Sequence, residues 1–248
     1  MSATGNIQMR FKRLVKKMIL PVLLSRFPLE KKYNPYVDIC SKVTTESPII
    51  VEGGANKGDI IARFLIDYPT PIIHAFEPIP ELAKALIDRF KEYSSVIIHE
   101  QALGAQNQIT TFNVNNFDAT SSILPSTSES LRYHGHMVER NHEINVQMVR
   151  LDEEIDQEID IMKLDLQGYE LEALKGCGEL IYKIKTIIIE IEFVPLYEQQ
   201  PLFGDIDLFL REKGFNLLNL YDLSTPDPQE RQLVAGDAIY LNSHYFPE

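Results

Sequence analysis

Several acids stand where apolar runs stop, and a carboxylate in that position can do chemistry. Asp165 follows Ile159–Leu164, Glu190 and Glu192 close the run 184–191, and Glu77 follows Ile72, Ile73, Ala75 and Phe76. A carboxylate or histidine within reach of a hydroxyl can remove its proton as a general base. Asp165 is the first candidate for that work, although an aspartate before a helix can also serve as its N-cap. Alternation puts Glu190 and Glu192 on one face of their run, and a buried carboxylate is costly unless it is used or paired. Glu190 ranks ahead of Glu192. Histidine has a suitable pKa, and His134, His136 and His142 lie in one polar stretch; His136 is the third candidate base. Glu170 and Glu172 read as first-turn acids that suit a helix dipole. Asp165, Glu190 and one histidine could also hold Mg²⁺, but their spacing does not indicate a metal.

The second constellation is 49–59, Ile-Ile-Val-Glu-Gly-Gly-Ala-Asn-Lys-Gly-Asp. An apolar run, a glycine-rich turn and an amphipathic stretch predict strand, tight turn and helix. Glycine lets the backbone approach a ligand, and the helix N-terminus offers unpaired N–H groups to an anion. The dinucleotide pattern G-x-G-x-x-G fails, because Ala55 stands at its middle glycine. Acid-x-Gly-x-x-x-Gly fits as Glu52, Gly54 and Gly58, the first motif of enzymes that bind S-adenosylmethionine (SAM). Glu77, at the end of the second strand, could accept both hydroxyls of a ribose. Gln101 follows the third strand, where an adenine would lie. The expected cofactor set is Glu52, Gly53, Gly54, Ala55, Asn56, Gly58, Glu77, Pro78, Gln101, Ala102 and Asp165.

The elements that must carry these residues alternate. Strands are expected at 49–52, 71–76, 96–100 and 159–164, helices at 59–67, 79–92 and 168–175, the last closed by Gly176 in the C′ position. The run 184–191 reads as a strand buried on both faces, followed by a helix at 204–213. Ile109–Val114 and 147–151 look like extra strands, and 115–145 like a long loop with one short helix, the form of a lid. Two successive strands, 215–221 and 238–241, end the chain. The fold class is α/β: a doubly wound, mostly parallel, seven-stranded Rossmann-like methyltransferase sheet ending in an antiparallel hairpin, with an N-terminal helical appendage. Residues 1–46 form the appendage, and 47–248 the catalytic domain with its insertion at about 105–150.

These motifs together resemble the FkbM family of SAM-dependent methyltransferases. The resemblance spans roughly 48–220. It rests on Val51–Gly58, on Phe76-Glu77-Pro78, on Ala102-Leu103-Gly104, on Ser121-Ser122 and on Leu151-Asp152. The most specific block is 162–170, Met-Lys-Leu-Asp-Leu-Gln-Gly-Tyr-Glu, with Leu174-Lys175-Gly176. The family often has aspartate where this chain has Glu52. The resemblance implies methyl transfer to a hydroxyl oxygen of a sugar or natural-product scaffold, without naming the acceptor. An NAD-dependent oxidoreductase and a non-catalytic SAM-binding module are the competing readings. The terminal hairpin and the missing middle glycine weigh against the first, and the retained acids against the second.

Charge divides the chain. Its net charge is −12, which disfavours a nucleic-acid substrate. Yet residues 1–32 hold eight Lys or Arg against Glu30, a charge of +7, leaving 16 against 35 acids, or −19, in the remainder. Phe11, Leu14, Val15, Met18, Ile19 and Val22 give that segment the apolar stripe of a basic amphipathic helix. It can pack on its own acidic domain or on a second copy as a homodimer; it can also lie on an anionic membrane as a peripheral contact. Two cysteines without metal spacing suit reduced thiols and a cytoplasmic protein, membrane-associated if the helix binds lipid. Intramolecular or dimer packing is the expected outcome. Neither the full-length protein nor a form starting at residue 33 should then sediment with neutral or anionic liposomes, and the shortened form should be less stable or monomeric. Salt-sensitive sedimentation of the full-length protein alone would assign the helix to the membrane.

Overall fold

The computed structural model describes residues 34–226 and 231–247. The basic amphipathic helix expected between residues 11 and 22 lies outside them. The described chain starts with α1 (Pro35–Lys42), whose first turn is capped by Asn34: its Oδ1 accepts from Tyr36 N and Val37 N. Then β1 (Ile49–Gly53), α2 (Asp59–Asp67), β2 (Ile72–Phe76), α3 (Pro80–Phe90) and β3 (Val96–His99) alternate as predicted. Proline at the first position of α3 costs it no hydrogen bond.

Three strands then build a separate small sheet: β4 (Ala102–Leu103), β5 (Gln108–Asn115) and β6 (Arg140–Val149). Between β5 and β6 stand a 3₁₀ turn at Asp118–Thr120, the short helix α4 (Ser128–His134) and a second 3₁₀ turn at Gly135–Val138. Two expectations are corrected here. Residues 140–146 are not loop but most of β6, paired antiparallel with β5 along its length. Nearly all of that half of the strand faces solvent, so it shows no apolar alternation. Ala102 and Leu103 do not simply end β3: they leave the main sheet and pair in parallel with Met148 and Val149.

The chain returns through the single turn α5 (Leu151–Glu154) to β7 (Ile159–Leu164), α6 (Glu170–Lys175), β8 (Ile184–Glu192), α7 (Phe203–Glu212), β9 (Phe215–Ser224) and β10 (Ala235–Asn242). The main sheet has seven strands in the order β3-β2-β1-β7-β8-β10-β9. All pairs from β3 to β8 are parallel, and β10 is antiparallel to both neighbours. β7 and β8 are central and lie under apolar layers on both faces, one containing Met162, Ile187, Ile189 and Leu210, the other Ile161, Ile188, Ile61 and Phe64. No helix among the described residues is long and apolar enough to cross a membrane.

Gly176 corrects a further expectation. It ends α6 with φ −69° and ψ −9°, right-handed rather than left-handed. Its requirement is steric: a β-carbon there would lie 2.0 Å from the carbonyl oxygen of Gly104. The end of α6 and the turn after β4 thus touch backbone to backbone, which anchors the small sheet beside β7. Gly176→Ala should therefore lower stability by about 1–3 kcal/mol, as overpacking does, read as a lower denaturant midpoint. Lys175→Ala, on the exposed side of the same turn, should leave the midpoint nearly unchanged.

Candidate active site

β1 and β7 are neighbours, and their ends place the glycine turn against Asp165. Asp165 N–H donates to Gly53 O at 3.2 Å. Gly54 has φ +78°, and a β-carbon there would stand 2.0 Å from Asp165 O, so only glycine fits. At Gly58, with φ +77°, a β-carbon would lie 2.6 Å from the side chains of Leu86 and Phe90 of α3. The turn is less open to an anion than its sequence suggests. Gly54 N–H and Ala55 N–H both donate to Phe76 O, Gly58 N–H to Ala55 O, and Asn56 N–H to Glu77 Oε2 at 2.7 Å. These N–H groups hold the turn itself, and their service is close approach.

A cleft of about 640 Å³, counting its open mouth, runs from this turn to the small sheet. Of the residues expected to bind cofactor, Gly54, Asn56, Glu77, Pro78, Gln101, Ala102 and Asp165 line it. Glu52, Gly53, Ala55 and Gly58 do not; the glycines and Ala55 shape the turn from behind. Glu190 stands behind Asp165 rather than on the wall. His136 is exposed in the 3₁₀ turn after α4, where its carbonyl accepts from Asn116, and it does not line the cleft. Phe112, Asp118, Ser121 and Ile123 supply a wall from the small sheet and its insertion, and Gln167 and Tyr169 another from the turn before α6. The polarity of 115–125 conceals the wall, because its positions are set by β5–β6 pairing. Lys57 Nζ lies 2.9 Å from Asp118 Oδ2, so an ion pair joins the insertion to the glycine turn.

Glu77 sits at the bottom of the cleft, 3% exposed, its two oxygens taking the backbone N–H groups of Asn56 and Ile79. Burial pushes its carboxyl up to about 7, against those two hydrogen bonds. Gln101 Oε1 is buried without a partner at the end of β3. An orphaned acceptor and an acid on one wall are the groups that an adenine amino group and a ribose diol would satisfy, so the residues present fit a nucleoside.

Asp165 joins the cleft to a buried charge network. Its Oδ2 accepts from Lys163 Nζ at 2.8 Å and its Oδ1 from Gln167 Nε2 at 2.9 Å. It does not cap α6, whose N-cap is Tyr169; Glu170 Oε1 instead accepts from Leu166 N–H and Gly168 N–H. Burial opposes ionisation of Asp165, but Lys163 outweighs it and holds the carboxyl below the usual range. Lys163, on β7, is 5% exposed. Burial alone would discharge it; Asp165, the Tyr36 phenol and Asp237 keep it protonated. Glu52, beside it on β1, is 1% exposed with Oε2 unpartnered, and burial drives its carboxyl up to about 8. Its place is under the site as part of this network. Glu170 is a first-turn acid of α6, as expected, but it is fully buried and pushed up to about 7. Burial and neighbouring carboxylates also raise Glu190 and Glu192 well above normal.

The methyltransferase FkbM domain model matches residues 52–217, most of the chain and the whole of this site. The chain belongs to the FkbM methyltransferase family. It is a SAM-dependent methyltransferase, and the oxidoreductase and non-catalytic readings fall away. It is 28% identical over 186 residues to the 2-O-methyltransferase NoeI of Sinorhizobium fredii, covering 68% of this chain and 74% of the relative. It is 25% identical to the methyltransferase sdnD of Sordaria araneosa over 73% of this chain and 80% of that one. The crystal structure of methyltransferase FkbM from Methylobacillus flagellatus shares the fold, with a TM-score of 0.52 and 17% identity. That alignment covers 79% of this chain and 44% of the other.

The state of Glu77 makes donor binding depend on pH. Ribose hydroxyls donate to a carboxylate and favour its charged form, so the bound carboxyl should titrate lower than the free one. SAM affinity should be full above about pH 7 and fall as pH drops through it, by up to about tenfold per pH unit. Calorimetry from pH 5.5 to 8.5 should show this slope, and Glu77→Gln should bind more weakly with the slope removed.

Proposed function

We propose that the protein transfers the methyl group of SAM to a hydroxyl oxygen of a small-molecule or glycan acceptor, with Asp165 receiving the hydroxyl proton. The observation that carries this reading is an ionised, cleft-lining Asp165 in backbone contact with the donor turn. The likeness to a protein named as a 2-O-methyltransferase supports oxygen as the acceptor atom.

SAM supplies an activated methyl group on a sulfonium, so the protein's task is positioning. The Asp165 side chain keeps 35% of its surface open, enough to meet an acceptor hydroxyl. A carboxylate held below the normal range is a weak base but a dependable anion. It accepts the hydroxyl's hydrogen bond and orients an oxygen lone pair. As the oxygen gains the methyl its proton becomes strongly acidic, and a weak base is then sufficient. The proton passes to Asp165, while the thioether leaves with the electron pair of the broken carbon–sulfur bond. Lys163 keeps Asp165 ionised beforehand. Among the described residues no group of three or more His, Cys, Asp or Glu is arranged to hold a metal ion.

The test is methyl-labelled SAM with a panel of free sugars, glycans and hydroxylated small molecules, followed by mass spectrometry. Label should appear as a methyl ether. Asp165→Asn should lower turnover by about 10²-fold or more, while SAM affinity stays within a few-fold. It should also lower the melting temperature, because Lys163 loses its counter-charge. Label on nitrogen or carbon, or an Asp165→Asn enzyme of full activity, would overturn the reading.

A further inference from the structure

Two acids that stand 25 residues apart in sequence meet on one amide. Gln167 Nε2 donates to Asp165 Oδ1 at 2.9 Å and to Glu190 Oε2 at 2.6 Å. Its Oε1 lies 2.6 Å from the Tyr197 hydroxyl, and the ionised Asp165, which can only accept, sets the amide nitrogen towards the acids. All of the amide's polar atoms are therefore engaged by fixed partners. The backbone is held as firmly. Gln167 has φ +54°, uncommon for a side-chain-bearing residue, and precedes Gly168 at φ +93°. The carbonyl of Gln167 accepts from Ser122 Oγ at 2.8 Å, and Ser122 is fully buried in the insertion. Tyr197 also reaches Thr120 O, at 3.0 Å. A residue in a costly conformation, tied down from the insertion and from the segment after β8, marks a position whose geometry is used.

We propose that Gln167 is a positioning residue for methyl transfer: its amide clamps the Asp165 and Glu190 carboxyl groups side by side, and the insertion fixes that clamp through Ser122 and Tyr197. This rests on the function proposed above. Burial and the Asp165 charge already drive Glu190 towards its neutral form. The amide donates to both groups and so keeps them side by side, with the charge on Asp165 and its aim into the cleft. Other charges face the pair from every side. Lys163 lies on β7, Glu52 on β1, Glu170 on α6, Glu192 on β8 and Asp237 on β10, with the phenols of Tyr36 and Tyr197. Only Lys163 among these is a cation, so the amide supplies the second stabilising donor to Asp165.

The experiment needs no acceptor. The carboxyl carbons of the full-length, ¹³C-labelled protein are titrated by NMR, with Asp165→Asn and Glu190→Gln used to assign the two signals. Gln167→Met keeps the length and removes the donors; Gln167→Glu keeps an acceptor for Tyr197 and puts a third carboxyl in the pair. Both should raise the midpoint of Asp165 by about one pH unit or more, and Gln167→Glu the further of the two. Should Gln167→Met not fold, Gln167→Glu alone decides. A merely structural role would lower the melting temperature without moving that midpoint. An unmoved midpoint overturns the clamp even where Asp165→Asn abolishes methyl transfer. A raised midpoint upholds it even where the methylated atom proves not to be oxygen, so the two readings fail separately.

Discussion

The buried ion pair between Lys163 and Asp165 is the interaction on which the site depends. Lys163 lies on β7 with four other elements, β1, α6, β8 and β10, supplying acids around it, and it is the cation among them. Removing one partner of such a pair leaves an uncompensated buried charge and costs about 3–5 kcal/mol. The consequence runs through the whole centre. Lys163 and Asp165 hold each other charged, while burial first, with the Asp165 charge adding to it, pushes the surrounding carboxyls of Glu52, Glu170, Glu190 and Glu192 towards their neutral forms. One ionised carboxylate is thereby singled out from a crowded set, and it is the one that opens onto the cleft.

The scaffold makes that selection possible by layering. The parallel strands bring β1 and β7 side by side with their ends in register, Gly53 opposite Leu164. The glycine turn that follows β1 and the Asp165 turn that follows β7 therefore meet. The small sheet closes the remaining side. Its attachment is close: Gly104 and Gly176 share a contact too tight for a β-carbon, and Asp152 N–H donates to Gly176 O at 3.2 Å. From that footing β5 and β6 carry the insertion over the cleft to Lys57, Gln167 and Tyr197.

Much of this was legible in the sequence because it depends on local rules. The glycine spacing, the acids at strand ends and the apolar runs gave β1, β2, β7 and β8 with their turns, and the terminal strand pair distinguished the sheet from a dinucleotide-binding one. What escaped depends on partners distant in the chain. Arg140–Val149 is a strand because β5 pairs with it, while its outer half offers no apolar pattern. Glu170 stands where first-turn acids commonly face water, yet β8 and its following segment bury it. Gly176 looked like a left-handed cap and is instead a contact with Gly104. Gln167 stood in the most specific block of the family resemblance but without a role, since an amide shows its use only when the groups on both sides are known.

The contact of Gly54 with Asp165 has a meaning for how such an enzyme can change. The glycine turn and the Asp165 turn touch backbone to backbone, so neither can drift without displacing the other. The insertion between β5 and β6 is under no such restriction along its solvent-facing length. New acceptor ranges would accordingly arise by remodelling the exposed part of residues 116–139 while Asp118, Thr120 and Ser122, which tie the insertion to the centre, are kept, and a laboratory library built that way would sample substrate preference while sparing the site beneath.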